Sequence, residues 1–268
     1  MDKQECTIST SDTDNLIQTY QTPIKPSKIN NANDEEEFLS MDVVLSPEYQ
    51  VMRHPTADNT MFLDSESPIV VLDWDDTLLC TKQLKQQGIS LKDPNQKIPP
   101  ELQVQLEQLA IKIESLLNHI FSFTPNVHMV TCSTRERCEQ TCQRFLPTIF
   151  PLLKKINCVS ARDYATSIQL KNKNLWKQST FEMIFSNFLN TNYSIQRSTR
   201  FICIGDNQLE HKGIRQMLQN NNNSISVCIK LDRWPSIERM IEQLQWIQNN
   251  FVYICRMKKN LYSLLPKQ

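Results

Sequence analysis

Residues 67–81 read SPIVVLDWDDTLLCT, so that Asp73, Asp75, Asp76 and Thr77 follow directly on an apolar run. Two carboxylates two residues apart, with a third acid beside them, repel one another and raise each other's pKa unless a cation neutralises them. A divalent metal is the simplest remedy, and an all-oxygen donor set selects a hard ion. Mg2+ suits such a site best, because it takes one or two carboxylates and completes its shell with water and phosphate oxygens. The chemistry these residues suggest is the binding of a hard divalent cation.

Side chains of this kind need a rigid edge to stand on, and the chain from Ile69 onward supplies one. Short β-branched runs alternate with longer segments of helical periodicity, the pattern of βα units around a parallel sheet. The expected strands are IVVLD (69–73), NVHMVT (126–131), INCVSA (156–161), RFICIGD (200–206) and SISVCIKL (224–231). Helices are expected from the apolar spacing Leu102, Leu106, Leu109, Ile113, Leu116 and Leu117, in RERCEQTCQRFL, in NLWKQSTFEMIFSNFL, around 208–219, and from 236 to about 255 after Pro235. In a parallel sheet functional groups gather at the carboxyl ends of the strands. Asp73, Thr131 and Asp206 all lie at such ends. Taken singly, Thr131 or Asp206 is most simply a turn former or helix cap; the Asp73–Asp75 pair has no such plain explanation.

Composition narrows the possibilities. Lys+Arg and Asp+Glu balance at 29 each, which gives no general attraction to nucleic acid or an anionic membrane surface. With 3 glycines in 268 residues, neither a G-x-G-x-x-G nor a G-x-x-x-x-G-K phosphate loop is present. The 9 cysteines include no C-x-x-C pair and several fall in apolar runs, so they read as reduced, mostly buried thiols. Cys138 and Cys142 lie one helical turn apart, but no Cys/His partner pair follows at zinc-site spacing. Residues 1–65 are polar, carry the acidic run NDEEE and are expected to be mostly disordered, with FLSMDVVL as a short patch that docks. The amino terminus lacks the apolar core of a signal peptide, and no apolar stretch is long enough for a membrane span. A cytoplasmic or nuclear location is the default expectation.

With these motifs laid out, the chain resembles the haloacid dehalogenase-like (HAD) superfamily, whose members are mainly aspartate-nucleophile phosphatases. DWDDTLL matches the D-x-D-x-T-L pattern of its first motif. VHMVT is similar to the second, a hydrophobic strand ending in Thr or Ser. LWKQSTF offers the lysine of the third, and FICIGDNQLE resembles the fourth, an apolar strand followed by G-D-x-x-x-D/E. The stretches RFLPTIFPLLKKINCVSARDY and LWKQSTF further resemble a group of uncharacterised protist and plant members in which a W-D-D-T-L-L first motif is common. The segment CSTRERCE after Thr131 departs from that group, which tends to carry Asn and Gly-Trp there.

The resemblance implies an α/β fold: a Rossmann-like, three-layer αβα sandwich around a mostly parallel five-stranded sheet. The catalytic domain would span 66–257, with a C-terminal tail over 258–268. It implies Asp73 as nucleophile and Asp75 as general acid and base. Mg2+ would be held by Asp73, Asp75 (through its main-chain carbonyl) and Asp206, with Glu210 as an outer or alternative ligand. Thr131 and Lys177 would bind the substrate phosphate, with Lys171 and Lys173 as other candidates for the lysine. Thr77 is expected to fix the turn after Asp75 through its hydroxyl, and Asp76 to be a turn or solvated residue. Arg135 and Arg137 either meet an acidic substrate or simply face solvent.

In this superfamily a cap inserted after the first motif, or between the second and third, limits substrate size. Here KQLKQQGISLKDPNQKIPP (82–100) has room for a flap but not for a helical cap, and Thr131 to Lys177 is filled by one helix and one strand of the core. An essentially uncapped site implies a large phosphorylated substrate, a phosphoprotein first, then a small phosphorylated metabolite or a nucleic-acid end. Two other readings stay open: a catalytically silent HAD-like protein that binds phosphorylated partners, and a scaffold whose acidic tail is the functional part.

Overall fold

The computed structural model describes residues 67–165, 172, 175–191, 199–218 and 224–264. The expectations for residues 1–65, and Lys171 and Lys173, lie outside the described residues.

Six strands form one sheet, in the order β3-β2-β1-β4-β5-β6, and every neighbouring pair is parallel. They are β1 (Ile69–Leu72), β2 (Val127–Thr131), β3 (Asn157–Ser160), β4 (Thr199–Gly205), β5 (Ser224–Lys230) and β6 (Leu261–Leu264). The first five fall within a residue or so of the expected runs. β6 is an addition, paired with β5 from Val227↔Leu261 to Lys230↔Leu264, where the sequence reading has only a tail.

β1 is central and buried along its whole length. Its side chains alternate between two hydrophobic clusters: Val70 and Leu72 enter one, Ile69 and Val71 the other. β4 repeats the alternation, with Ile202 and Ile204 on the first face and Phe201 and Cys203 on the second. A parallel strand covered on both sides requires an apolar side chain at every position, which is why IVVL and FICI carry no polar residue.

The first face is covered by α2 (Pro100–Phe121), α3 (Arg135–Phe145) and α6 (Ile237–Arg256); α1 (Thr81–Gln86) precedes them in the chain. The second is covered by α4 (Trp176–Thr191) and α5 (Gln208–Leu218). α2 begins with Pro100 in its first turn, where the missing N–H leaves no bond unmade. It buries Leu102, Leu106, Leu109, Ile113, Leu116 and Leu117, the stripe expected from the spacing. Beside that stripe α2 and α6 run in parallel register: Gln105 Nε2 donates to Glu238 at 2.6 Å, Lys112 to Gln245, and Gln248 Nε2 to Ser115 at 2.9 Å. Ser236 caps α6, its Oγ accepting the Arg239 N–H at 3.2 Å.

The described cysteines are all free, and all but Cys132 are buried. Among the described residues no helix is long and apolar enough to cross a membrane.

Candidate functional site

The site begins where β1 ends. Asp73 is still tied to the sheet, its N–H donating to the Ile204 carbonyl of β4 at 3.1 Å. Its Oδ1 accepts the N–H of Trp74 at 2.8 Å, which fixes the carboxylate against the turn that follows. That turn is closed by main-chain bonds: the Trp74 carbonyl accepts the N–H groups of Leu78 at 3.0 Å and Leu79 at 3.1 Å, and the Asp76 N–H donates to Leu79 at 2.8 Å. Asp76 takes a left-handed backbone with φ 56°, a conformation Asp tolerates better than most residues. Its carboxylate then accepts the N–H of Lys82 at 2.8 Å. Asp76 is therefore a turn residue, but buried and bonded, not solvated. Thr77 differs from expectation. Its buried hydroxyl has no hydrogen-bond partner, so the backbone, and not that hydroxyl, holds the turn.

Trp74 separates the two acids and points the other way. Its buried indole donates from Nε1 to Thr141 Oγ1 of α3 at 3.0 Å. An indole that size cannot share the polar edge with its neighbours, and its burial under α3 leaves Asp73 and Asp75 on the open side of the turn.

Lys177 reaches Asp73 from the first turn of α4. Its ammonium pairs with Asp73 Oδ2 at 2.8 Å and with Glu210 Oε1. Burial works against this charge, but Asp73 and Glu210 together hold the Lys177 pKa well above the usual lysine value. Lys177, one of the three lysines expected from the sequence, reaches the acidic edge.

Asp206 and Glu210 arrive from the β4–α5 junction. One carboxylate oxygen from each of Asp73, Asp206 and Glu210 lies within 4.8 Å of the others. Burial, aided by Asp73, pushes Asp206 up to about 6. Burial also raises Glu210, against the pull of Lys177. Glu210 is fully buried, and its second oxygen, Oε2, has no hydrogen-bond partner. Gly205 makes room for it: a Cβ there would stand 2.6 Å from Glu210 Cδ. An all-carboxylate set with one orphaned oxygen is what a hard divalent cation fits. Glu210 thus stands in the acidic cluster itself, alongside Asp73 and Asp206, while Asp75 contributes no carboxylate oxygen to that cluster.

Asp75 instead meets Ser133, whose Oγ donates to Asp75 Oδ2 at 3.0 Å. Burial, with Asp73 adding to it, raises the Asp75 pKa, while the Ser133 hydrogen bond and the charge of Arg137 oppose the rise. Thr131, fully buried at the end of β2, accepts the Ser133 N–H on Oγ1 at 3.0 Å, and Thr134 caps α3 by accepting the Arg137 N–H. The run TCST therefore spends three hydroxyls in sequence: one at the strand end, one on Asp75, one on the helix. The sequence reading assigned no role to Ser133; the signal was a hydroxyl two residues beyond Thr131.

Arg135 is exposed and pairs with Glu139 of its own helix at 2.9 Å, as the solvent-facing reading has it. Arg137 is half-buried and near enough to Asp75 for its charge to oppose the rise in that pKa.

Comparison of the chain with protein-family models, with curated proteins and with solved structures returns no match.

Proposed function

We propose that this chain is a Mg2+-dependent phosphatase of the HAD-like type, hydrolysing phosphate monoesters through an aspartyl-phosphate on Asp73. The observation that carries the reading is the meeting of Asp73, Lys177, Asp206 and Glu210 at one sheet edge, with a buried carboxylate oxygen left unpartnered there.

Asp73 would be the nucleophile: a carboxylate oxygen attacks phosphorus, the bond to the leaving oxygen breaks, and the phosphoryl group passes to Asp73. Trp74 N–H and Lys177 orient that carboxylate through its two oxygens. Asp75, its pKa raised by burial, would give a proton to the departing alcohol. In the second half Asp75 takes the proton of the attacking water, inorganic phosphate leaves, and Asp73 is restored. Thr131 accepts from Ser133 N–H and so keeps its own O–H for a phosphoryl oxygen. Lys177 offsets charge on the transferred group. Asp73, Asp206, Glu210 and the Asp75 main-chain carbonyl would hold Mg2+, which supplies positive charge against the repulsion between nucleophile and phosphate.

The connection from β1 to α2 holds only the turn, the six-residue α1 and a loop pinned by Arg144, whose guanidinium donates to the carbonyls of Ser90 at 2.7 Å and Gln96 at 3.0 Å. Nothing in it is large enough to cap the edge, which favours a phosphoprotein or another large substrate.

The test is release of phosphate from a generic aryl phosphate with and without Mg2+, in the wild type and in Asp73→Asn. Metal-dependent release that the substitution abolishes is expected. No release from folded wild type, with phosphate or phosphopeptide still bound, moves the chain to the silent phosphate-binding reading.

A further inference from the structure

The carboxyl end of β5 carries a second feature on the same edge, in the loop Leu231–Ser236. Leu231 N–H donates to the carbonyl of Gly205 at 2.8 Å, which sets this loop beside Asp206. Trp234 within it is 53% exposed and takes a left-handed backbone with φ 58°. For a bulky residue this is an outlier, and the following Pro235 restricts the backbone further. Such a conformation is strained and persists only where the surroundings impose it, commonly at a ligand clamp.

Two cations lie over the indole. Lys82 Nζ is 5.3 Å from the ring centroid and the Arg233 guanidinium 4.6 Å from it. Lys82 comes from the nucleophile's side, through its N–H bond to Asp76. Neither cation has an ion-pair partner among the described residues. The nearest acids in the chain are already engaged: Asp232 pairs with Arg239 at 2.7 Å, Glu238 accepts from Gln105 at 2.6 Å, and Asp76 receives main-chain N–H. The Trp234 ring holds two otherwise unpaired positive charges at the rim of the site, each favoured over an aromatic face. With its ring given to these cations, the indole is poorly placed to stack a nucleobase, which turns the reading from nucleotides to a polyanionic chain.

We infer that Trp234, Lys82 and Arg233 form an anion-reading rim that selects phosphopeptides with acidic residues next to the phosphorylated side chain. This specificity rests on the phosphatase reading of the adjoining edge.

The experiment compares two phosphopeptides of one sequence, with acidic or with neutral flanks, on wild type and on the surface variant Lys82→Gln/Arg233→Gln, which should not threaten folding. Two rim contacts of ~0.7 kcal/mol each amount to about tenfold in kcat/KM for the acidic peptide. In the double variant that preference is expected to fall to about twofold or less, mainly through KM, and in wild type to shrink as salt is raised. Equal kcat/KM for the two peptides in wild type, or a preference unchanged in the variant, overturns the inference. Should wild type turn over no substrate at all, the phosphatase reading fails separately, and fluorescence anisotropy with the same labelled peptides decides the rim. Tighter binding of the acidic peptide, lost in the variant, supports it; equal binding, or better binding of a 5′-phosphorylated oligonucleotide, overturns it.

Discussion

Lys177 stands between Asp73 and Glu210, paired with both and nearly as buried as they are. One ammonium thus faces three carboxyl groups, brought together from the ends of β1 and β4 and from α5. Breaking a buried pair from one side leaves uncompensated charge and costs roughly 3–5 kcal/mol. Lys177→Met keeps the bulk of the stem, so it should lower the unfolding free energy in chelator by about 3 kcal/mol and remove the proposed phosphatase activity. Urea denaturation reads the first effect; a loss below about 1 kcal/mol would mean the pair is not formed in solution.

Metal and pH should be linked, with a definite sign. Asp206 has its folded pKa raised to about 6 from the ordinary Asp range, so between those values the folded chain binds more protons than the unfolded one. Without metal, stability from this group therefore falls as pH rises toward 6 and the withheld charge appears. A bound cation removes that penalty. The rise in melting temperature on adding Mg2+ should be larger at pH 7 than at pH 5, as thermal scans at the two pH values can establish; an equal rise at both would place the cation elsewhere.

Gly205 is needed for space and not for an unusual backbone. Because a Cβ would press on the Glu210 carboxyl carbon at 2.6 Å, Gly205→Ala must displace that side chain. The expected cost is about 1–3 kcal/mol from overpacking, together with a weakened thermal response to Mg2+. Calorimetric titration with Mg2+ checks the second part: unchanged affinity would show that Glu210 is not a ligand.

Ser133 donates to Asp75, which favours the ionised carboxylate. Removing it in Ser133→Ala should carry the Asp75 pKa higher still, because the bond that favours the ionised form is gone. A pH profile of kcat/KM reads this as an upward displacement of the limb that Asp75 governs. A uniform fall at every pH, with no displaced limb, would assign Ser133 to the fold alone.

The strands β1 to β5 were legible as short apolar runs, most plainly IVVL and FICI, because a strand covered on both faces must be apolar throughout; VHMVT keeps the pattern at Val127, Met129 and Val130. Asp73, Lys177, Asp206 and Glu210 were legible as residue types at strand ends and on the following helices. What the sequence did not carry was the partnering. LYSL is four residues long and follows the charged stretch MKKN, too little for periodicity to mark as a strand; it becomes β6 only because β5 offers a free edge. Ser133 looked like one more hydroxyl in a polar turn, since its bond to Asp75 spans 58 residues of chain. The α2–α6 rungs likewise depend on two helices over a hundred residues apart meeting in register.

The central claim is that Asp73 becomes phosphorylated. Rapid acid quenching of the wild type mixed with Mg2+ and an aryl phosphate, followed by peptide mass spectrometry, reads it directly. The expected result is an alkali-labile phosphoryl group on the peptide carrying Asp73, absent in Asp73→Asn and without metal. Phosphate release that continues in Asp73→Asn, or a phosphoryl group trapped on another residue, would contradict it.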